Sequence, residues 1–445
     1  MFKVGYAQEI ITPPVGVQLA GYFNVRPNEG MYDDLMVKVV WLEAKGTQFG
    51  FMTFDLEELT ESLFAAVWRR LEEEFGRELL RGLIVSATHS HTSPGSNNFK
   101  YDYDTLSELE KFAFDEIVEA AVRALRRATM NLQPAELQVG AVYNNPYAFV
   151  RRYWMKNGTL ITNPGWGNPD IDKPESEFDR TINILKVVQG GRTAAIVANI
   201  GNHGDTIGGN LVSADWYGRF AQEIQHELKS SLPVLVVDDA SGDLNHFDFR
   251  QKINQSNYAE AVRIGRGYAR IVLDALDHLE PVAEDDVEIR NATVTIPHRR
   301  LTEAELAEAK HILATVPDIP KEGDFESQDL ANKVPAALRY FARRAIDCHE
   351  KSTPSHEGRL TSIKIGDQVA FVSLPGEPFN GISRAIRAQS PCKYTFVIEL
   401  AQSKSGYVPM PECFAHGGYE VQPGIDTAAP NAATAIIDAA VANLR

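Results

Sequence analysis

Cysteine is scarce in this chain, long apolar runs are missing, and basic charge is in short supply. Each shortage excludes something. The three cysteines, Cys348, Cys392 and Cys413, are odd in number and form no CxxC pair. A disulfide framework is therefore not expected, and a reducing compartment is. No stretch reaches the roughly 18 apolar residues of a transmembrane helix. The N-terminus, MFKVGYAQEIITPP, lacks the basic-then-apolar order of a secretory leader. The expectation is a cytoplasmic protein without membrane insertion. With 44 Lys and Arg against 60 Asp and Glu, the net charge is −16. That balance argues against a nucleic-acid partner, which wants a basic face. It equally argues against docking on an anionic membrane by charge. No repeat and no Pro/Ser-rich linker divides the 445 residues, so one domain over 1–445 is expected.

What is present is a pattern repeated five times. An apolar run ends, and acid–base or metal-type residues follow at once. FGFMTF leads into Asp55, and LIVSAT into His89 and His91. AAIVANIGN leads into His203 and Asp205, VLVVDDASG into Asp243, Asn245 and His246, and VAFVSLPG into Glu377. Such runs read as buried strands. Chemistry at the carboxyl ends of strands is where open α/β sheets bind ligands. Helical spacing appears between them, in ESLFAAVWRRLEEEF, 106–130, ADWYGRFAQEIQHEL and YAEAVRIGRGYARIVLDALDHL. The fold class expected is α/β, a mixed sheet core with flanking helices. Residues 285–298 read as an edge strand. About 301–350 reads as an inserted, highly charged helical segment, either a solvated surface hairpin or a cover over the site mouth.

On an extended segment, residues two apart face the same way, so His89 and His91 can address one centre. His203 supplies a third nitrogen. Gly376 and Pro378 fix the backbone on either side of Glu377, which suits a carboxylate ligand. Two histidines and a carboxylate with an open position form a common catalytic zinc set. Asp215, just before WYGRF, is expected to cap a helix. Tyr407 and Tyr419 by themselves read as packing residues.

Taken in order, VGYAQEIITPPVGVQLAGY, SATHSHTSPG, NHGD, SGD, PGEP and GY…YE resemble the catalytic domain of the neutral ceramidase family, over nearly the whole chain. The resemblance implies that family's α/β metalloenzyme domain with one zinc ion. It maps ligation onto His89, His203, Glu377 and Tyr407, and places His91 near the reacting centre. An arginine of the pattern falls on Arg151, with the register to Arg152 open, and the second tyrosine falls on Tyr419. Two departures stand out. The family's serine in GDVSPN is Asn245 here, in GDLNHF. The family's immunoglobulin-like C-terminal domain has no counterpart after the helix-like PNAATAIIDAAVANL.

The expected function is zinc-dependent hydrolysis of an amide or ester-like bond in a small or polar substrate, by metal-activated water. His91 would be the acid–base group, and Arg151 and Tyr419 would stabilise an oxyanion or hold a carboxylate. Asn245 would donate to the intermediate, and His246 would protonate the leaving group. A second reading is phosphoester or sulfate-ester cleavage or an isomerisation, with Arg151 and Arg152 on an anion and Asp55, Asp205 or Asp243 bridging two metals. A third is a non-catalytic metal- or metabolite-binding homologue. A homo-oligomer is the default expectation.

Overall fold

The apolar runs become strands because β-branched and aromatic residues fit a pleated surface buried on both faces. Leu83–Ala87, Val234–Asp238 and Val369–Ser373 are buried at every position. The computed structural model describes residues 1–445 apart from 96–102, 322, 324, 326–328, 330, 331, 352, 403–405 and 426.

A nine-stranded mixed sheet runs in the order Val234–Asp238, Arg192–Ile200, Ile182–Gln189, Gln133–Val142, Phe2–Ile10, Met36–Ala44, Thr47–Phe54, Leu83–Ala87. The short Glu280–Pro281 strand also pairs with Gln133–Val142. The terminal pairs are parallel, each joined by a helical crossover, and the interior pairs are antiparallel. At the centre the join is short: Phe2, Lys3 and Val4 face Ala135, Pro134 and Gln133. Both halves bury side chains in one core, Val40, Leu42, Phe49 and Phe51 with Leu185, Val197, Leu235 and Val237. Beyond the strands, the chains after Leu83–Ala87 and Arg192–Ile200 meet in a parallel bridge between Ser90 and Gly204.

A four-stranded sheet, Val287–Pro297, Ser355–Ile365, Val369–Ser373 and Tyr394–Ile398, adds Ile363, Phe371 and Phe396 to that core. Helices cover the outer faces. Glu61–Phe75 and Glu108–Met130 lie on one half of the large sheet, Asp215–Glu227 and Tyr258–Ala275 on the other. Asn380–Gln389 and Ala432–Leu444 lie on the small sheet. Glu61–Phe75 faces inward through Leu63, Phe64, Val67 and Leu71, and Thr60 caps it by accepting from the Leu63 N–H. No helix among the described residues is long and apolar enough to cross a membrane.

Among the described residues, the inserted segment includes the helices Glu303–Thr315 and Pro335–Lys351. Several positions between them lie outside the described residues. The expected strands and helices all formed. Several strands had no reading in the sequence, among them Arg152–Met155, Leu160–Thr162 and, most consequential, Phe2–Ile10 and Gln133–Val142, the pair that joins the sheet halves. The residue starting the helix after His203 also differs from expectation. Asp215 is not the cap but the first helical residue, at φ 51°, with its carboxylate accepting from the Thr206 and Trp216 N–H groups.

Candidate metal centre

Three imidazoles meet where the strand ends converge. The Nε2 of His89 lies 3.0 Å from that of His203 and 3.2 Å from that of His91. The route to this geometry is not the extended segment expected. His89 sits at φ 68°, in the left-handed region, so the backbone turns between the two histidines. The turn is held by His89 and Ser90 N–H groups donating to the Leu56 carbonyl and by His91 N–H donating to that of Gly204. Gly204 permits this approach, since a Cβ there would lie 2.5 Å from the His89 carbonyl oxygen.

The Glu377 Oε2 is 3.3 Å from His89 Nε2. Its backbone is fixed by a donation to the Gly406 carbonyl and by parallel pairing of Glu377 with Tyr407. Gly242 lets that segment pass, because a Cβ there would meet the Glu377 carbonyl oxygen at 2.3 Å. Tyr407 therefore enters through the backbone beside Glu377, and the Tyr419 ring is 6.0 Å from it. Burial and the Glu377 charge raise the Tyr407 phenol well above its ordinary value. Burial raises Tyr419 too.

The donors fit a divalent cation. His89 Nδ1 lies 2.8 Å from the Glu57 carbonyl and must donate to it, which leaves a lone pair on Nε2. Burial, followed by the charge of His89, pushes both His91 and His203 well below the ordinary histidine value. They are neutral ligands-in-waiting. For His89 burial acts downward, but the Glu377 carboxylate overrides it and lifts the group to about 10. A positive charge is thus favoured at this corner, and a bound cation would take the place of that proton. His89, His91 and His203 each bring a nitrogen within 4.8 Å of the other two.

The arginines divide. Arg151 Nε donates to Glu420 Oε1 at 2.8 Å and Nη2 to the Gly242 carbonyl at 2.8 Å, with its guanidinium 5.3 Å from the Tyr407 ring centre. Arg152 turns the other way. It holds both oxygens of Glu175, Oε2 of Glu420 and the Gly417 carbonyl. Both cations are thus matched by buried carboxylates. Glu420 was quoted in the sequence only as the end of GY…YE; nothing in its spacing signalled that it pairs with both arginines.

The remaining candidates are placed less centrally. Asn245 donates from Nδ2 to Asn163 Oδ1 at 2.7 Å and accepts from the Phe247 N–H. His246 needs correction as a proton donor. Its Nε2 is bound to the Gln255 carbonyl at 2.8 Å, its ring packs at a tilt against Phe247, and burial pushes it down to about 4. It carries no spare proton near neutrality. The aspartates proposed to bridge two metals are dispersed. Asp55 is buried against Lys38 Nζ, Asp243 accepts from the Asn380 N–H, and Asp205 accepts from the Tyr22 hydroxyl. A second group with donor atoms close together, Glu175, Cys413 and His416, is already occupied by the Arg152 guanidinium.

Beside the metal corner stands an aromatic wall. Phe23 packs against Tyr419 at 6.3 Å and against Tyr340 and Phe341 of the inserted helix at 5.4 and 5.5 Å. The inserted segment therefore borders the site rather than standing apart as a solvated hairpin.

Comparison with known proteins bears on the family and the fold. The model of the family "Neutral/alkaline non-lysosomal ceramidase, N-terminal" matches residues 2–233. The neutral ceramidase of Pseudomonas aeruginosa is 25% identical over 256 residues, 53% of this chain and 37% of that protein. The matched stretch thus spans little more than a third of the relative. The crystal structure of neutral ceramidase from Pseudomonas aeruginosa superposes with a TM-score of 0.72 at 19% identity, over 100% of this chain and 74% of that one. A structure of a ceramidase complexed with C2 superposes at 0.71 and 17%, with the same coverage. At these identities the superpositions speak for the fold.

Proposed function

The chain belongs to the neutral/alkaline non-lysosomal ceramidase family, and on that premise we propose that it is a zinc-dependent hydrolase of an amide bond. The observation that carries this reading is the convergence of the His89, His91 and His203 Nε2 atoms, with Glu377 Oε2 alongside, within 3.0–3.3 Å of His89 Nε2. His89, His203 and Glu377, with Tyr407 beside them, would hold the ion. When bound, zinc supplies a Lewis acid that polarises a carbonyl and acidifies water.

The chain's own groups do the rest. His91, neutral and buried, offers a base at Nε2 that can take a proton and return it to a leaving amine. Arg151 keeps its charge beside Tyr407, where a developing oxyanion gains most from a fixed cation. Tyr419 stays protonated and can donate. Asn245 keeps one amide hydrogen beyond its bond to Asn163. As an amide it cannot act as the nucleophile, so attack falls to water. The aromatic wall of Phe23, Tyr340, Phe341 and Tyr419 favours a substrate with an apolar acyl part, beyond the small or polar one expected from the sequence. Phosphoester or sulfate-ester cleavage is less favoured, because Arg152 is turned away into Glu175 and Glu420, which leaves Arg151, itself sharing Glu420, as the one arginine beside the corner.

Elemental analysis of the purified chain tests this, paired with hydrolysis of a short-chain N-acyl sphingosine and an N-acyl amino acid. One zinc per chain, lost together with hydrolysis in His89→Ala, is the expected result. A His89→Ala protein that keeps stoichiometric zinc would refute the ligand set.

A further inference from the structure

His91 is the member of the histidine corner whose orientation needs an explanation. A neutral imidazole carries one N–H, and the partner of the second nitrogen decides where it sits. His91 Nε2 faces His89 Nε2 at 3.2 Å. Its Nδ1 is buried without a hydrogen-bond partner, and Asp205 Oδ1 lies 3.6 Å away. With the proton on Nε2, an Nδ1 lone pair would point at a carboxylate oxygen. With the proton on Nδ1, an N–H dipole points at that oxygen and the lone pair turns to the metal corner.

The carboxylate is itself held. The Tyr22 hydroxyl donates to Asp205 Oδ1, and the Tyr22 ring meets the His91 ring edge-on at 5.7 Å. The Arg26 guanidinium lies 4.2 Å from the Tyr22 ring centre, and its Nη2 donates to the His91 carbonyl at 2.7 Å. Gly21 allows this loop to rest on the histidine, since a Cβ there, at φ 91°, would lie 2.6 Å from His91 Cβ. A loop from residues 20–26 and the turn after His203 thus clasp one imidazole from both sides.

We propose that Asp205, held by Tyr22, is a positioning residue that fixes His91 with its proton on Nδ1 and its lone pair on Nε2, directed at the metal corner. The arrangement is the carboxylate–histidine pairing that sets ring orientation and tautomer around metal sites. It rests on the hydrolase reading for its purpose, though not for its geometry.

The test uses the full chain labelled with ¹⁵N-histidine, with zinc and after chelation. Two-bond ¹H–¹⁵N correlation reads which nitrogen of each imidazole is protonated, and His91→Gln assigns the signal. The expected result is an Nδ1-protonated His91 in the parent chain. In Asp205→Asn and Tyr22→Phe the population should move toward Nε2–H. Zinc content should stay at the parent level. kcat for a short-chain N-acyl substrate should fall by about 10–100-fold, the usual scale for losing such a partner, with KM unchanged. Asp205→Glu should recover part of the loss. An Nε2-protonated His91 in the parent chain, or a tautomer unmoved in both variants, would overturn the proposal. Should Asp205→Asn fail to fold, Tyr22→Phe, which removes only a hydroxyl, carries the same test. A parent chain that hydrolyses nothing would sink the hydrolase reading while leaving the tautomer result standing.

Discussion

Two buried clusters lie back to back in this protein and are built on opposite principles. In one, Arg151, Arg152, Glu175 and Glu420 match two cations with two anions. Thr162 Oγ1 and His416 Nδ1 add bonds to the carboxylates at 2.9 and 2.8 Å. In the other, two neutral imidazoles, His91 and His203, converge on His89, which the Glu377 carboxylate keeps protonated. The first cluster is electrically complete. In the second, the His89 proton stands where the proposed cation would sit. Adjacent residues feed both. Arg151 and Tyr419 border the metal corner, while Arg152 and Glu420 close the ion-pair cluster behind it. Arg151 sits just before the strand Arg152–Met155, and Tyr419 and Glu420 lie in the short helical turn Tyr419–Val421; neighbouring side chains diverge there, so one short segment serves a rigid support and a reactive site together. The comparison assigns stability to the ion-pair cluster and function to the histidine corner.

The largest effect should come from breaking the complete cluster. Glu420 is fully buried, and burial alone would raise its carboxyl. The charges of Arg152 and Arg151 override that and hold it below its ordinary value of 4.5. Removing one partner of a buried ion pair leaves an unmatched charge, at a cost of about 3–5 kcal/mol. Glu420→Gln should lose stability on that scale in urea unfolding, with zinc content unchanged. The sign in pH follows from the lowered value. Glu420 contributes fully above pH 4.5, and its contribution disappears as pH falls through the folded-state value. The variant should therefore show a shallower acid limb than the parent. An unchanged urea midpoint would remove the ion-pair cluster from the stability side of the comparison.

Next in size is the cation. A ligand bound only by the folded state stabilises it by about 2.7 kcal/mol when free ligand stands at 100 times Kd. Chelation should lower the parent's unfolding free energy by that order and leave the far-ultraviolet spectrum intact. In Glu420→Gln the same increment should appear, because the two clusters share no ligand. A chelator that unfolds the chain outright would show that the histidine corner also holds the fold.

The sequence displayed the histidine corner far better than the ion-pair cluster. His89, His91, His203 and Glu377 each follow an apolar run, and a continuous apolar run with a chemical residue at its end is a local signal. Tyr407 and Arg151 were reached only through ordered motifs shared with a family, since a lone tyrosine or arginine carries no spacing. Glu420 and Glu175 had no signal, because a buried carboxylate is defined by non-local partners: those of Glu420 lie more than 250 positions away, and those of Glu175 lie 23 and 241 away. The same holds for the strands Phe2–Ile10 and Gln133–Val142. Their burial is mixed with exposed positions, Lys3 on the first and Gln133, Pro134 and Glu136 on the second, and the pairing that unites them is non-local. The reverse error, His246, came from reading a histidine at a strand end as chemistry when a backbone carbonyl nine residues on had claimed it.

The smallest expected effect separates the clusters most sharply. His203 Nδ1 is buried without a hydrogen-bond partner. A buried polar atom left unsatisfied costs about 1–3 kcal/mol, and an apolar group of similar shape in its place is often neutral or stabilising. His203→Leu keeps most of the side-chain volume and removes the orphan nitrogen. In metal-free protein its unfolding free energy should stay within about 1 kcal/mol of the chelated parent, on either side of it. In zinc the variant should show no gain in stability and bind no ion. Metal-free His203→Leu protein that is destabilised as far as Glu420→Gln would mean that the imidazoles hold the fold in their own right. The histidine corner would then belong with the ion-pair cluster as structure, and its convergent lone pairs would need another account.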